Sequence, residues 1–286
     1  MSSLTQLVAE ELAQPVDPRV RDIAEALAAK YPDASKAVLF YGSCLRESQL
    51  EGLMLDFYLI VSDYDTAFDK GWLARANRLI PPNVFPFEHK GLMAKYAVLS
   101  ETDFHRLNGP ETRNVSVWAR FAQPARLVWS ADTQAQAKAI AAVSRAAPTL
   151  LAAAGSIDGE APLDWWRRAF ALTYSVELRA ERKSRSNSVV DADPARYVRF
   201  SIPAIDAIPA GAESGGWARR RFEGKLLSIT RLAKAAFTYS GGIDYLAWKI
   251  NRHAGTQIEI KPWQRKWPLV AAFVLVPRLL AKGAVR

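Results

Sequence analysis

The chain has 286 residues, half of them apolar, which is enough to bury the core of one large domain or two smaller ones. It contains one cysteine, Cys44, and three histidines, which exclude an intrachain disulfide and argue against a structural zinc site. The formal net charge of +9 implies an anionic partner, such as nucleic acid, a phosphorylated small molecule or an acidic lipid headgroup.

The first half of the chain combines one helix with several strand-like runs. A helix is predicted over residues 17–30, with Asp17 as its N-cap and Pro18 at the first helical position. Apolar runs predict strands over residues 37–41, 55–61, 93–99 and 126–129. This order predicts an α/β domain with a mixed sheet over residues 1–131.

The second half of the chain has a helical pattern. Helices are predicted over residues 131–154, 163–183 and 217–239, separated by small-residue linkers at 155–162 and 210–216. These predict a mainly helical domain over residues 132–260. The most apolar run, residues 269–276, extends to 281 only across Pro277 and Arg278. As a helix this stretch would cover about 20 Å, too short for a hydrocarbon core of roughly 30 Å.

A Gly-Ser pair ends the first predicted strand, and a lone aspartate opens the second. Gly42 and Ser43 follow Tyr41, and Asp56 comes thirteen residues after Ser43. Glycine lets the backbone approach a triphosphate, serine and backbone N–H groups hold its oxygens, and a carboxylate on the neighbouring strand holds Mg²⁺. This layout is typical of nucleotidyltransferases; the alternative is an ordinary turn followed by a strand-start aspartate.

The second ligand of such a metal site is less evident. Nucleotidyltransferases usually carry another carboxylate two residues after the first, and that position is Tyr58 here. Asp63, Glu88, or substrate phosphates together with water are the alternatives. We prefer Asp63, so the expected metal ligands are Asp56 and Asp63.

Lys95 interrupts the apolar strand at residues 93–99. Burying an ammonium group without an anion is costly, so this side chain requires a partner or solvent. Either Lys95 lies on an edge strand and points to water, or it emerges beside Asp56 and binds a phosphate. In the second interpretation Asp56 and Lys95 are the catalytic residues.

Four motifs occur in a recognisable order along the chain. They are Tyr41-Gly42-Ser43, Leu55-Asp56-Phe57 leading to Asp63, Lys95-Tyr96-Ala97-Val98-Leu99-Ser100, and Leu172-Thr173-Tyr174 with Arg179 and Arg182. Asp103, Trp118 and Arg120 extend the pattern. With these motifs the chain resembles, remotely and over most of residues 37–253, the mitochondrial-type phosphatidate cytidylyltransferases, also called translocator assembly and maintenance proteins.

The resemblance implies a reaction in which CTP and phosphatidic acid give CDP-diacylglycerol and pyrophosphate, with Mg²⁺ as cofactor. It also implies a nucleotidyltransferase domain followed by a helical domain. Carried over to this chain, the nucleotide-binding residues are Tyr41, Gly42, Ser43, Arg179 and Arg182. The family's glycine in the lysine strand is Ala97 here, a mild change.

Basic segments in the second half predict an anionic surface as partner. Lys and Arg are concentrated in residues 179–185 and 219–225. A single basic cluster is usually a solvated face, but two clusters together with a basic tail favour an anion-binding surface. The tail, residues 261–286, has tryptophans beside cations next to the short apolar run, a pattern typical of an interfacial helix. Alternatively the tail packs on its own domain.

The N-terminal residues show no secretory or transit signal, so we expect a cytoplasmic protein associated peripherally with the inner face of the membrane. No nucleic-acid partner is expected, and the oligomeric state is open. Two other functions are compatible with the sequence: a nucleotidyltransferase acting on RNA or a soluble acceptor, and a non-catalytic lipid-binding relative.

Overall fold

The computed structural model of the chain describes residues 2–46, 49–176, 189–238 and 261–262. Its five strands are β1 (Ser35–Tyr41), β2 (Met54–Val61), β3 (Asn83–His89), β4 (Leu92–Ser100) and β5 (Ala125–Ser130). The helices before β5 are α1 (Leu4–Leu12), α2 (Pro18–Ala29), α3 (Tyr64–Ala67), α4 (Gly71–Leu79), α5 (Glu101–Asn108) and α6 (Trp118–Phe121). Those after it are α7 (Thr133–Ser144), α8 (Ala146–Ala154), α9 (Pro162–Tyr174), α10 (Pro194–Asp206) and α11 (Trp217–Thr238). The predicted α/β class is confirmed.

The strands form one mixed sheet in the order β3-β4-β2-β1-β5. The β2 and β4 strands are parallel, and every other neighbouring pair is antiparallel. Lys95 therefore lies on an internal strand, because β4 is flanked by β3 and β2. Of the five strands only β3 was not predicted; it contains Pro86, which a sheet tolerates at an edge because proline has no N–H to donate.

Helices cover both faces of the sheet. The α2 helix, capped by Asp17 as predicted, packs on the face that carries Phe40 and Phe57. The opposite face, with Leu39 and Tyr58, shares one hydrophobic cluster with residues from α1 and from α5 to α10. The helical second half therefore packs directly on the sheet, and the hydrophobic core continues across the predicted boundary after residue 131.

The helical pattern after β5 is divided more finely than the sequence indicates. The predicted helix over residues 131–154 is two helices, α7 and α8, which meet at Arg145. Pro148 explains the division, because in a continuous helix its ring would clash with the carbonyl of Ser144, whereas the first turn of a new helix tolerates it. Every helix among the described residues is too short or too polar to cross a membrane.

Candidate functional site

Three of the predicted site residues lie in one row across the sheet. Tyr41 on β1 is the register partner of Asp56 on β2, and Asp56 is the register partner of Lys95 on β4. Register partners point to the same face, so the three side chains are neighbours. Because β1 ends at Tyr41, the Gly42-Ser43 turn leaves the sheet directly beside the carboxylate of Asp56.

Asp56 and Lys95 form an ion pair at this end of the sheet. The distance between Lys95 Nζ and Asp56 Oδ1 is 2.9 Å, and the side chains are 25% and 22% exposed, respectively. The Asp56 Oδ1 atom that makes this contact is buried. The pair supplies the anion that a lysine within an apolar strand requires, while both groups retain contact with solvent.

Gly42 brings the backbone against the same carboxylate. Its φ of +96° is a conformation that residues with a side chain rarely adopt. A Cβ atom built on Gly42 would lie 3.3 Å from Asp56 Oδ2, which is tighter than ordinary van der Waals contact. The glycine is therefore needed at this position both for the turn and for the approach of the chain to Asp56.

The Tyr41 side chain is buried in the core beside Asp56, where it contacts Tyr58 and Arg120. Its ring packs against Tyr58, with 5.2 Å between the ring centroids, and its hydroxyl accepts a hydrogen bond from Arg120 Nη1 at 3.2 Å. Burial, followed by the nearby charge of Asp56, holds the pKa of the Tyr41 phenol well above its usual range. Tyr41 is thus a neutral hydrogen-bonding group, and Arg120 adds a cation next to the row.

The structure places Tyr58 in the core, where it is 2% exposed and packs against Phe121 with 5.1 Å between ring centroids. The position where a second carboxylate is usual is therefore filled by an aromatic ring. Among the described residues, no group of three or more His, Cys, Asp and Glu side chains is arranged so that it could hold a metal ion.

Asp63, the preferred second ligand, is not brought to Asp56. Asp56 lies near the start of β2 and Asp63 follows its end, so the five strand steps from Asp56 to Val61 alone separate them by about 16 Å, because each residue of a strand advances roughly 3.3 Å. The Asp63 carboxylate instead caps α3 and accepts hydrogen bonds from the backbone N–H groups of Asp65 at 3.0 Å and Thr66 at 2.8 Å. The bond from Thr66 is the main reason why its pKa is lowered. Asp63 and Asp56 are therefore too far apart to hold one metal ion between them.

Glu88 is the better placed of the acids considered for this role. It is the register partner of Met93, two residues before Lys95 on β4, so it faces the same side of the sheet as Lys95. It is exposed and lies at the same end of the sheet as Asp56. Its position at the end of a predicted strand favours Asp63 in the sequence. Glu88 could not be placed, because β3, which brings it to this face, was not predicted.

The predicted nucleotide-binding residues Arg179 and Arg182 lie outside the described residues, as does the tail from residue 263 onwards. No protein-family model matches the chain, and a comparison with curated proteins finds no relative. A functional assignment consequently depends on the residues of the site itself.

Proposed function

We propose that this protein transfers a cytidylyl group from CTP to phosphatidic acid and releases pyrophosphate, acting at a membrane surface on a nucleotidyltransferase-type fold. The observation that carries the proposal is the row of Tyr41, Asp56 and Lys95, with the positive-φ Gly42 against the carboxylate. A triphosphate requires close backbone N–H groups, a cation and a carboxylate that can hold a metal ion. The resemblance to phosphatidate cytidylyltransferases adds the choice of CTP and phosphatidic acid.

The residues of the row have distinct expected roles. Gly42 and Ser43 offer backbone N–H groups and a hydroxyl to the triphosphate oxygens. Lys95 binds a phosphate oxygen when substrate is present, exchanging part of its contact with Asp56 for a second anion. Arg120 holds Tyr41 in place through the hydrogen bond to its hydroxyl, and thereby keeps the end of β1 beside Asp56.

The side chains present are compatible with Mg²⁺. This ion is commonly held by one or two carboxylates together with substrate phosphates and several waters, so Asp56 alone is a sufficient protein ligand. Glu88, on the same face, is the candidate for an outer contact through water. When bound, Mg²⁺ neutralises charge on the phosphates during transfer.

The acceptor needs no strong general base, because the phosphate of phosphatidic acid is already anionic near neutral pH. A new bond forms between a lipid phosphate oxygen and the α-phosphorus of CTP. The bond from that phosphorus to the bridging oxygen breaks, and its electron pair leaves with pyrophosphate. The protein therefore contributes chiefly positioning and charge neutralisation, which Lys95 and the Gly42-Ser43 turn supply.

A test of acceptor choice separates the candidate functions. The full chain is incubated with Mg²⁺ and CTP labelled at the α-phosphate, with phosphatidic acid in detergent micelles, with tRNA, or without an acceptor. We expect chloroform-soluble label only with phosphatidic acid, and its loss when EDTA is added. Labelled RNA would favour the nucleic-acid enzyme instead, and no labelled product in any arm would contradict transfer to phosphatidic acid.

Replacing Gly42 by alanine should weaken CTP binding as well as stability. The strained φ is expected to cost about 1–3 kcal/mol, and displacement of the Asp56 carboxylate should weaken CTP binding about tenfold. Gly52→Ala is the matched control, since its φ is +73° but no atom lies within 4 Å of a built Cβ. Thermal unfolding and equilibrium CTP binding measure both effects; equal CTP affinities for the two variants would contradict the role given to Gly42.

A further inference from the structure

An apolar stripe runs along the outer face of α11. Phe222 is 72% exposed, Leu226 is 54% exposed and Ile229 is 42% exposed. Their spacing of four and three residues places them on one side of the helix, one above the other. Large side chains exposed together in this way form a patch, whereas apolar residues scattered singly over a surface need no explanation.

Cations border this stripe. At 100° per residue, Arg221 and Lys225 lie along one side of it and Arg219 along the other. All three are exposed, and Arg219 pairs with Glu223 at 2.7 Å. Glu223 is the only acid in the sequence of α11, and it also contacts Arg113 at 3.1 Å, away from the stripe. The outward face of α11 is therefore apolar at its centre and positive at its border.

The inner face of α11 is already attached to the rest of the protein. Trp217 Nε1 donates to the carbonyl of Ala153 at 3.1 Å, and Arg231 Nη1 donates to Ser116 Oγ at 2.9 Å. Lys234 Nζ donates to the carbonyl of Pro82 at 2.9 Å. These contacts fix the rotation of the helix, so the stripe is held outward while the opposite side binds the domain.

We propose that this face of α11, the stripe of Phe222, Leu226 and Ile229 with Arg221 and Lys225, docks on an anionic bilayer. Apolar side chains of an interfacial helix enter the boundary between headgroups and acyl chains, and the bordering cations meet lipid phosphates. A nucleic-acid interface would have cations at its centre, because phosphate contacts dominate such binding. The inference deepens the proposed function, since the acceptor lipid lies in that bilayer.

Vesicle sedimentation of the full chain tests the docking face. We expect the protein to sediment with vesicles of phosphatidylcholine and phosphatidylglycerol, but not with phosphatidylcholine alone. Arg221→Gln combined with Lys225→Gln should weaken binding about 30-fold, since each basic residue near the surface contributes about one kcal/mol. The triple variant Phe222→Gln, Leu226→Gln and Ile229→Gln should weaken it about tenfold or more.

A matched control uses another pair of exposed apolar residues. Val198 and Ile202 on α10 are 59% and 52% exposed, and Val198→Gln with Ile202→Gln should leave vesicle binding unchanged. Wild-type sedimentation of the α11 variants would overturn the inference, as would binding that is lost only when residues 239–286 are removed. Loss of RNA binding in the α11 variants, with vesicle binding intact, would also overturn it.

Turnover in detergent separates this inference from the proposed function. The triple α11 variant should transfer cytidylyl groups to micellar phosphatidic acid at the wild-type rate, because Asp56 and Lys95 are unchanged. If the wild type binds vesicles through α11 but shows no transfer in micelles, the docking face stands and the proposed reaction fails. If transfer occurs but the α11 variants bind vesicles normally, the reaction stands and the docking face fails.

Discussion

Asp56→Asn is expected to lower the rate of cytidylyl transfer by about a thousandfold, because the only carboxylate in the row at the sheet end is lost. The amide cannot hold Mg²⁺ as well, and it leaves Lys95 without the anion that lies 2.9 Å from its Nζ. The fold should persist, since asparagine has nearly the same shape as aspartate. The initial rate of lipid labelling, with circular dichroism as the folding control, measures the effect.

Asp63→Asn is the matched control for this prediction. Asp63 is also an aspartate and follows the strand that contains Asp56, but it caps α3 beyond the opposite end of β2. We expect nearly normal transfer and a small loss of stability, because asparagine also caps helices well. Retained activity of Asp56→Asn, or an equal loss in both variants, would show that the metal-binding carboxylate has been misplaced.

Glu11→Ala is expected to destabilise the fold by about 3–5 kcal/mol, because it leaves a buried guanidinium without its anion. Arg196 Nη2 is 2.9 Å from Glu11 Oε1, its Nε contacts the other oxygen, and Nη1 donates to the carbonyl of Ala122 at 3.1 Å. The two side chains are only 5% and 7% exposed, and they join α1 to α10. For a chain of this size the melting temperature should fall by roughly 10 °C.

Two variants give this prediction its controls. Asp22→Ala removes the exposed pair with Lys90 at 2.7 Å and should leave the melting temperature almost unchanged. Glu11→Leu with Arg196→Met replaces the buried charges by apolar groups of similar length and should restore much of the loss. A melting temperature for Glu11→Ala equal to the wild-type value would mean that the pair does not hold α1 against α10.

The fold was predictable where local rules decide the structure. Asp17 and Pro18 mark the beginning of α2, and continuous apolar runs mark the four strands that were predicted. The edge strand β3 was missed because Pro86 lies within it, and at an edge the missing N–H is tolerated. Likewise α7 and α8 share one alanine-rich pattern, and only the steric requirement of Pro148 separates them.

The candidate site was predictable in part. The approach of Gly42 to Asp56, and the pairing of Asp56 with Lys95, follow from strand ends that the sequence reveals. The predicted strand over residues 55–61 already separates Asp63 from Asp56, because Asp56 lies near its start and Asp63 follows its end. Glu88 could not be placed in the same way, because it reaches the face of Asp56 through β3, the strand that was not predicted.

Nucleotidyl transfer differs from other reactions of CTP in the fate of each phosphate, which can be followed by labelling. Parallel reactions with phosphatidic acid use CTP labelled either at the α-phosphate or at the γ-phosphate, and the chloroform-soluble product is counted. We expect lipid label from the α-phosphate only, with the γ-label released as pyrophosphate. Label from the γ-phosphate in the lipid, or no lipid label from either nucleotide, would contradict it.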